Sequence, residues 1–162
     1  MHATKMLHQM LSKNCPDIHA RRLTALTDVV AALVQGRTLT VTGLGRCLPR
    51  DISMKHSIKQ SDRLIGNAHL HAERLAIYQA MAHYLIGNNL RSIILVDWSD
   101  YTYDQTHLLL RAAVPVGGRA LTLYEEVHPY IYYGNGHIEK RFLKTLQQIL
   151  PQGCIPIIVT DA

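Results

Sequence analysis

The chain has 162 residues, a formal net charge of +5, 48% hydrophobic and 18% charged residues, the composition of a globular protein and not of a disordered one. No apolar run approaches the roughly eighteen residues that a membrane-spanning helix needs, and Met1-His2-Ala3-Thr4-Lys5 opens no secretory signal. Cys15, Cys47 and Cys154 are scattered and odd in number, which fits a reduced, cytoplasmic protein with buried or idle thiols better than a disulfide or zinc framework.

The charge is concentrated at one end. Residues 1–75 hold 11 Lys/Arg against 5 Asp/Glu, and residues 76–162 hold 6 against 7. The first half therefore suits a polyanionic partner, although a solvated basic face accounts for the charge equally well.

In chain order, the spacing predicts a short helix over Thr4–Lys13, stopped by Asn14-Cys15-Pro16. A second helix, capped by Asp17, carries Ile18, Leu23, Leu26, Val29, Val30 and Leu33 at helical intervals up to Gln35-Gly36. After Arg37–Val41, a short helix over Thr42–Leu48 meets a break at Pro49-Arg50-Asp51. A basic helix over His56–Gly66 follows, with Ile58, Leu64 and Ile65 inward and Lys55, Lys59 and Arg63 outward. Two short helices across a tight break, the second bearing cations, form a helix-turn-helix pattern; a plain helical hairpin with surface lysines is the competing reading.

A long helix over His71–Ile86 has Leu75, Tyr78, Ala82 and Leu85 on one side and ends at Gly87-Asn88-Asn89. The pattern then changes to strands: Ser92–Asp97, then Gln105–Val116 and Arg119–Glu125 around a Gly117-Gly118 hairpin turn. Tyr130–Gly136 reads as a loop, Glu139–Leu150 as a helix with Phe142, Leu143, Leu146 and Ile149 apolar, and Ile155–Thr160 as a last strand. The fold class expected is α+β: a helical domain over 1–89, then a β-β-β-α-β core over 90–162.

Two of these strands end in a carboxylate, Ser92-Ile93-Ile94-Leu95-Val96-Asp97 and Ile155-Pro156-Ile157-Ile158-Val159-Thr160-Asp161. Adjacent strands of this kind would set two carboxylates side by side. Such a pair repels itself unless a cation lies between, which is how divalent-metal sites for phosphate chemistry are built. Strand-end carboxylates that cap a helix or face water are the plainer alternative. Asp100 suits a turn role. Trp98 suits a half-buried core position better than a stack on a distorted base. His69 and His71 suit the start of the long helix or a phosphate contact better than a metal. Glu125 and Glu126 read as solvated strand-end acids.

Several segments together carry a resemblance. They are Leu44-Gly45-Arg46 with Leu48-Pro49, Lys55-His56-Ser57-Ile58-Lys59, Asp62-Arg63-Leu64, Gly66-Asn67 with His69-Leu70-His71, and Glu73-Arg74-Leu75-Ala76. Leu95-Val96-Asp97-Trp98-Ser99-Asp100, Leu121-Thr122-Leu123-Tyr124-Glu125 and Ile158-Val159-Thr160-Asp161-Ala162 complete the set. In this order they resemble the bacterial insertion-sequence transposases of the cut-and-paste DDE class, close to the transposon-ten group. The resemblance implies a helical, helix-turn-helix-like end-binding domain and an RNase H-like catalytic core.

It further implies strand nicking, hairpin formation and strand transfer, with Asp97 and Asp161 as catalytic metal ligands for Mg2+, or Mn2+ in its place. Arg46, Arg50, Lys55, Lys59 and Arg63 become the DNA contacts, chiefly to phosphates. The implied partners are double-stranded DNA, as transposon ends and target, with self-association on DNA in the intact enzyme and no membrane. The third acid of the family, a glutamate, has no counterpart by motif in this sequence. A core truncated after the fourth strand, and inactive alone, is the expectation. The alternative is a truncated DNA-binding protein that occupies transposon ends without catalysis. A small metal-dependent nuclease unrelated to transposition leaves the basic helices without a role.

Overall fold

A computed structural model describes residues 2–48 and 53–160. These residues form an α+β structure, with six α-helices and a four-stranded mixed sheet among them. It divides into two compact units, Met1–Ile77 and Tyr78–Ala162, and the division falls inside a helix.

The first unit is helical. Helix α1 (His2–Asn14) is followed by α2 (Ala20–Gly36), α3 (Val41–Cys47), α4 (Met54–Ile65) and the start of α5 (Ala68–Ile86). The N-cap of α2 is His19, whose Nδ1 accepts from Arg21 N at 3.2 Å, and not the expected Asp17. Thr40 caps α3 by accepting from Gly43 N at 3.0 Å, and Asn67 does the same for α5 by accepting from Leu70 N at 2.9 Å. The Pro49-Arg50-Asp51 break lies outside the described residues.

How α3 meets α4 departs from the sequence reading. The buried side chains of α4 are Ser57, Ser61 and Leu64, while Ile65 is 49% exposed. The reason is proximity. A Cβ at Gly45 of α3 would lie 2.5 Å from the Ile58 Cα, so the two backbones nearly touch and only small residues fit the seam. Each serine hydroxyl is satisfied inside its own helix, Ser57 Oγ on Ser53 O and Ser61 Oγ on Ser57 O, both at 3.4 Å. With positions 57, 61 and 64 inward, Lys55, Lys59 and Arg63 face out and are exposed.

The second unit is built on the sheet, in the order β3-β2-β1-β4. Strands β1 (Ile93–Asp100), β2 (His107–Val116) and β3 (Arg119–Pro129) form an antiparallel meander. The Gly117-Gly118 turn has φ values of 56° and 76°, the left-handed pair that a two-residue hairpin requires. A 3-10 turn (Tyr130–Tyr132) and α6 (Gly136–Ile149) lead to β4 (Ile157–Val159), which lies parallel to β1. The register pairs Ile93 with Ile157, Ile94 with Ile158 and Leu95 with Val159.

One face of the sheet is packed and holds the core. Ile94, Val96, Leu110, Ala112 and Tyr124 meet Phe142, Leu146 and Ile149 of α6 and Ala82 and Ile86 of α5. The β2–β3 register shifts between Ala112 and Ala113, and at that irregularity two successive residues, Leu123 and Tyr124, are both buried. Leu75 and Leu143, expected inward, are 37% and 38% exposed.

Gly45→Ala is expected to destabilise the helical unit by about 1–3 kcal/mol, the usual cost of overpacking, because the Ile58 backbone cannot yield as a side chain could. Urea unfolding followed by circular dichroism measures it. An unchanged midpoint would mean that the α3–α4 seam is looser than described.

Candidate functional site

Each unit carries its own candidate site. In the helical unit an open cleft of about 760 Å3 is lined by His19, Arg21 and Arg22 at the start of α2 and by His56, Lys59 and Arg63 of α4. Among the described residues Arg21, Lys59 and Arg63 have no ion-pair partner. Arg22 is held by both carboxylate oxygens of Glu73, with Nε 2.9 Å from Oε2. The fork geometry fixes the guanidinium against the wall of the cleft. The result is a positively charged concavity, with three cations outside any ion pair among the described residues around one that is fixed.

The cations expected from the sequence divide between locations. Lys59 and Arg63 line this cleft, while Lys55 is exposed on the same helix but is not part of the lining. Arg46 lines a separate cleft of about 900 Å3 with Lys5, His8, Thr24 and Asp28. Arg50 lies outside the described residues. His71 takes the helix-start role, its Nε2 donating to Ile65 O at 2.7 Å.

His19, Arg21, Arg22 and His56 were not anticipated. One signal was present: Arg21 and Arg22 occupy the first turn of α2, where the helix dipole disfavours cations. Two arginines in that position ask for an anion, and Glu73 answers for one of them.

In the sheet unit Asp97 lies on β1, exposed, two residues past the last β1–β4 pair, Leu95 and Val159. Opposite it on β2 stands Arg111, whose Nε donates to Glu125 Oε2 of β3 at 3.1 Å. Glu125 is thus an ion-pair partner and not a solvated strand end. A small pocket of about 200 Å3 is bordered by Asp97, Trp98, Glu139, Leu143 and Thr160. Asp161 lies outside the described residues. Asp97 is the hard oxygen donor that magnesium takes, but the described residues contain no group of three His, Cys, Asp or Glu placed to hold an ion. The donor type fits; a full ligand set is not present among these residues.

Trp98 is half-buried, as expected, and firmly held. Its Nε1 donates to Glu139 Oε1 at 3.1 Å, and its ring meets His128 and Tyr133 edge-on at 5.7 and 6.0 Å. Glu139 escaped the sequence reading because it is 41 residues from Trp98 and only the crossover brings the two together. Asp100 accepts from Gln105 Nε2 at 3.2 Å, in the turn role expected of it.

His128 is positioned in turn by Glu126, which was expected to be solvated and is not. The Glu126 carboxylate accepts from Tyr124 OH at 2.5 Å, His128 Nε2 at 2.8 Å and Arg141 at 3.2 Å. Burial pushes its pKa up, but the hydrogen bonds from Tyr124, Arg141 and His128 and the Arg141 charge outweigh that and hold it below the usual carboxylate range. A depressed folded pKa stabilises the protein above the unfolded value, and the benefit disappears as pH falls through the folded one. Glu126→Gln is therefore expected to cost about 2 kcal/mol at neutral pH, on the scale of hydrogen bonds to a charged group. The gap to wild type should close on acidification, as read by denaturant unfolding at a series of pH values. A gap that stays constant with pH would remove the charge from this account.

No protein-family model, curated protein or solved structure matches this chain.

Proposed function

We propose that the chain is a DNA-processing protein of the cut-and-paste DDE transposase class, with a DNA end-binding helical unit and an RNase H-like sheet unit for phosphoryl transfer at phosphodiesters. The observation that carries it is the parallel pairing of β1 with β4. Leu95 pairs with Val159, and in the sequence an aspartate stands two residues after each of them, Asp97 and Asp161. The strand order β3-β2-β1-β4 with one crossover helix is the order the resemblance implies, which supports the reading further.

In this reading the work divides by charge. Arg21, Lys59 and Arg63 take backbone phosphates in the basic cleft, with Arg22 pre-oriented by Glu73. Arg46, Lys55 and Arg50 would add contacts elsewhere on the duplex. The catalytic end belongs to Asp97 and Asp161, which would hold Mg2+ or Mn2+. Such an ion, when bound, activates the attacking oxygen and stabilises the leaving one. Arg111 stands opposite Asp97 on β2, where it is held by Glu125.

Two experiments test the two halves separately. Labelled duplex DNA titrated with the full chain should give an affinity that falls steeply with salt. Lys59→Ala and Arg63→Ala should each weaken binding and flatten the salt slope by about 1. Binding without salt dependence, or no binding at low salt, would end the DNA reading of the cleft.

For the sheet unit, paramagnetic Mn2+ should quench Trp98, which neighbours Asp97 and is the chain's single tryptophan. Asp97→Asn should abolish that quenching while the fold is retained. Quenching that survives the substitution would place the ion elsewhere.

A further inference from the structure

Two histidines border the basic cleft, one on each wall, and their hydrogen bonds set them apart. His19, at the N-cap of α2, accepts the Arg21 N–H on Nδ1. A proton placed on that nitrogen would break the cap and leave two N–H groups facing each other. His56, in the first turn of α4, has Nδ1 2.7 Å from Ser53 Oγ. A hydroxyl both donates and accepts, so this bond survives in the neutral ring and in the imidazolium alike. Ser53 is the N-cap of α4 yet makes no side-chain bond to that helix, which leaves its hydroxyl to the imidazole.

His56 also stands in line with the cations of its own helix. Positions 56, 59, 60 and 63 recur at helical spacing, so His56, Lys59, Gln60 and Arg63 form one stripe along the cleft wall. Among the described residues, Arg21 and Arg22 face that stripe from α2, with Arg22 held by Glu73 of α5. The cation of the adjoining α3, Arg46, lines the other cleft. Among the described residues no carboxylate borders the basic cleft, so an imidazolium at 56 finds its counter-charge in a bound anion.

We propose that His56 contacts DNA phosphate as an imidazolium, so that duplex binding takes up a proton at this residue and tightens as pH falls through the range in which histidine titrates. The proposal rests on the DNA-processing reading for its ligand. Its sign follows from linkage: the protonated form binds the anion better, so the bound anion stabilises the protonated form by the same factor. Lys59 and Arg63 stay charged throughout that range and give affinity without pH dependence. His56 adds a charge that can be withdrawn.

The full chain is titrated into labelled duplex at about pH 8 and about pH 5.5, on the two sides of histidine titration, over a series of salt concentrations. Affinity should be roughly tenfold higher at the lower pH, the effect of an opposite charge that moves a titration by about one unit. The salt slope should also steepen there by about 1. His56→Gln should remove both differences. His56→Lys should carry the tighter binding up to the higher pH. His19→Asn, which keeps an N-cap acceptor, should leave the pH dependence intact. Both histidines are exposed, so the variants should fold as wild type does, which circular dichroism checks.

A pH effect that survives His56→Gln, or that disappears with His19→Asn, overturns the assignment. A second arm uses inorganic tripolyphosphate and the His56 C2 proton resonance, identified in NMR by its loss in His56→Gln. The midpoint of that resonance should move to higher pH when the polyanion is bound. If the duplex binds with salt dependence but equally at both pH values, the His56 contact fails and the DNA reading stands. If the duplex binds at neither pH while tripolyphosphate moves the His56 midpoint, the DNA reading fails and the proton-linked anion contact stands. No response to either polyanion overturns both.

Discussion

Parallel pairing of β1 with β4 is the constraint on which the sheet unit depends. Parallel neighbours cannot be joined by a hairpin, so the chain must leave the sheet and return over one face. Helix α6 makes that passage, and Phe142, Leu146 and Ile149 close the core against Ile94, Val96 and Leu110. The same passage carries Glu139 to the indole of Trp98 and Arg141 to Glu126. One connection therefore sets the core, the orientation of the Trp98 indole and the surroundings of Asp97.

The helical unit depends on a different rule. Its α3–α4 seam is set by how closely two backbones approach at Gly45 and Ile58, which leaves room for serines and little else. That closeness turns α4 so that Lys59 and Arg63 look toward Arg21 and Arg22 across the cleft. The placement of cations follows from a steric fit several residues away.

Most elements were legible because periodicity is local. Stops at Gly36, Gly87 and Pro151, and the Gly117-Gly118 turn, bracketed helices and strands to within a few residues. What the sequence hid was tertiary. Ile65 reads as core by hydrophobicity but is exposed, since the seam at Gly45 selects Ser57 and Ser61 by size. The aspartate at 97 was visible as a break in an apolar run, but it is not the strand end expected, since β1 continues past it to Asp100. The acids of β3 were misjudged because their partners come from a neighbouring strand and from α6: Glu125 meets Arg111, and Glu126 meets His128 and Arg141. The Arg21–Arg22 pair needed the geometry of the first helical turn to look unusual.

The serine-lined seam also bears on how the two units respond to temperature. Among the described residues, eight of the buried apolar residues belong to the helical unit and seventeen to the sheet unit. Close backbone contact contributes dispersion attraction without removing much hydrocarbon from water. Heat-capacity change on unfolding follows the hydrocarbon area exposed, so the helical unit has the flatter stability curve of the two. Cooling weakens hydrocarbon burial first, and the sheet unit carries the larger share of that loss.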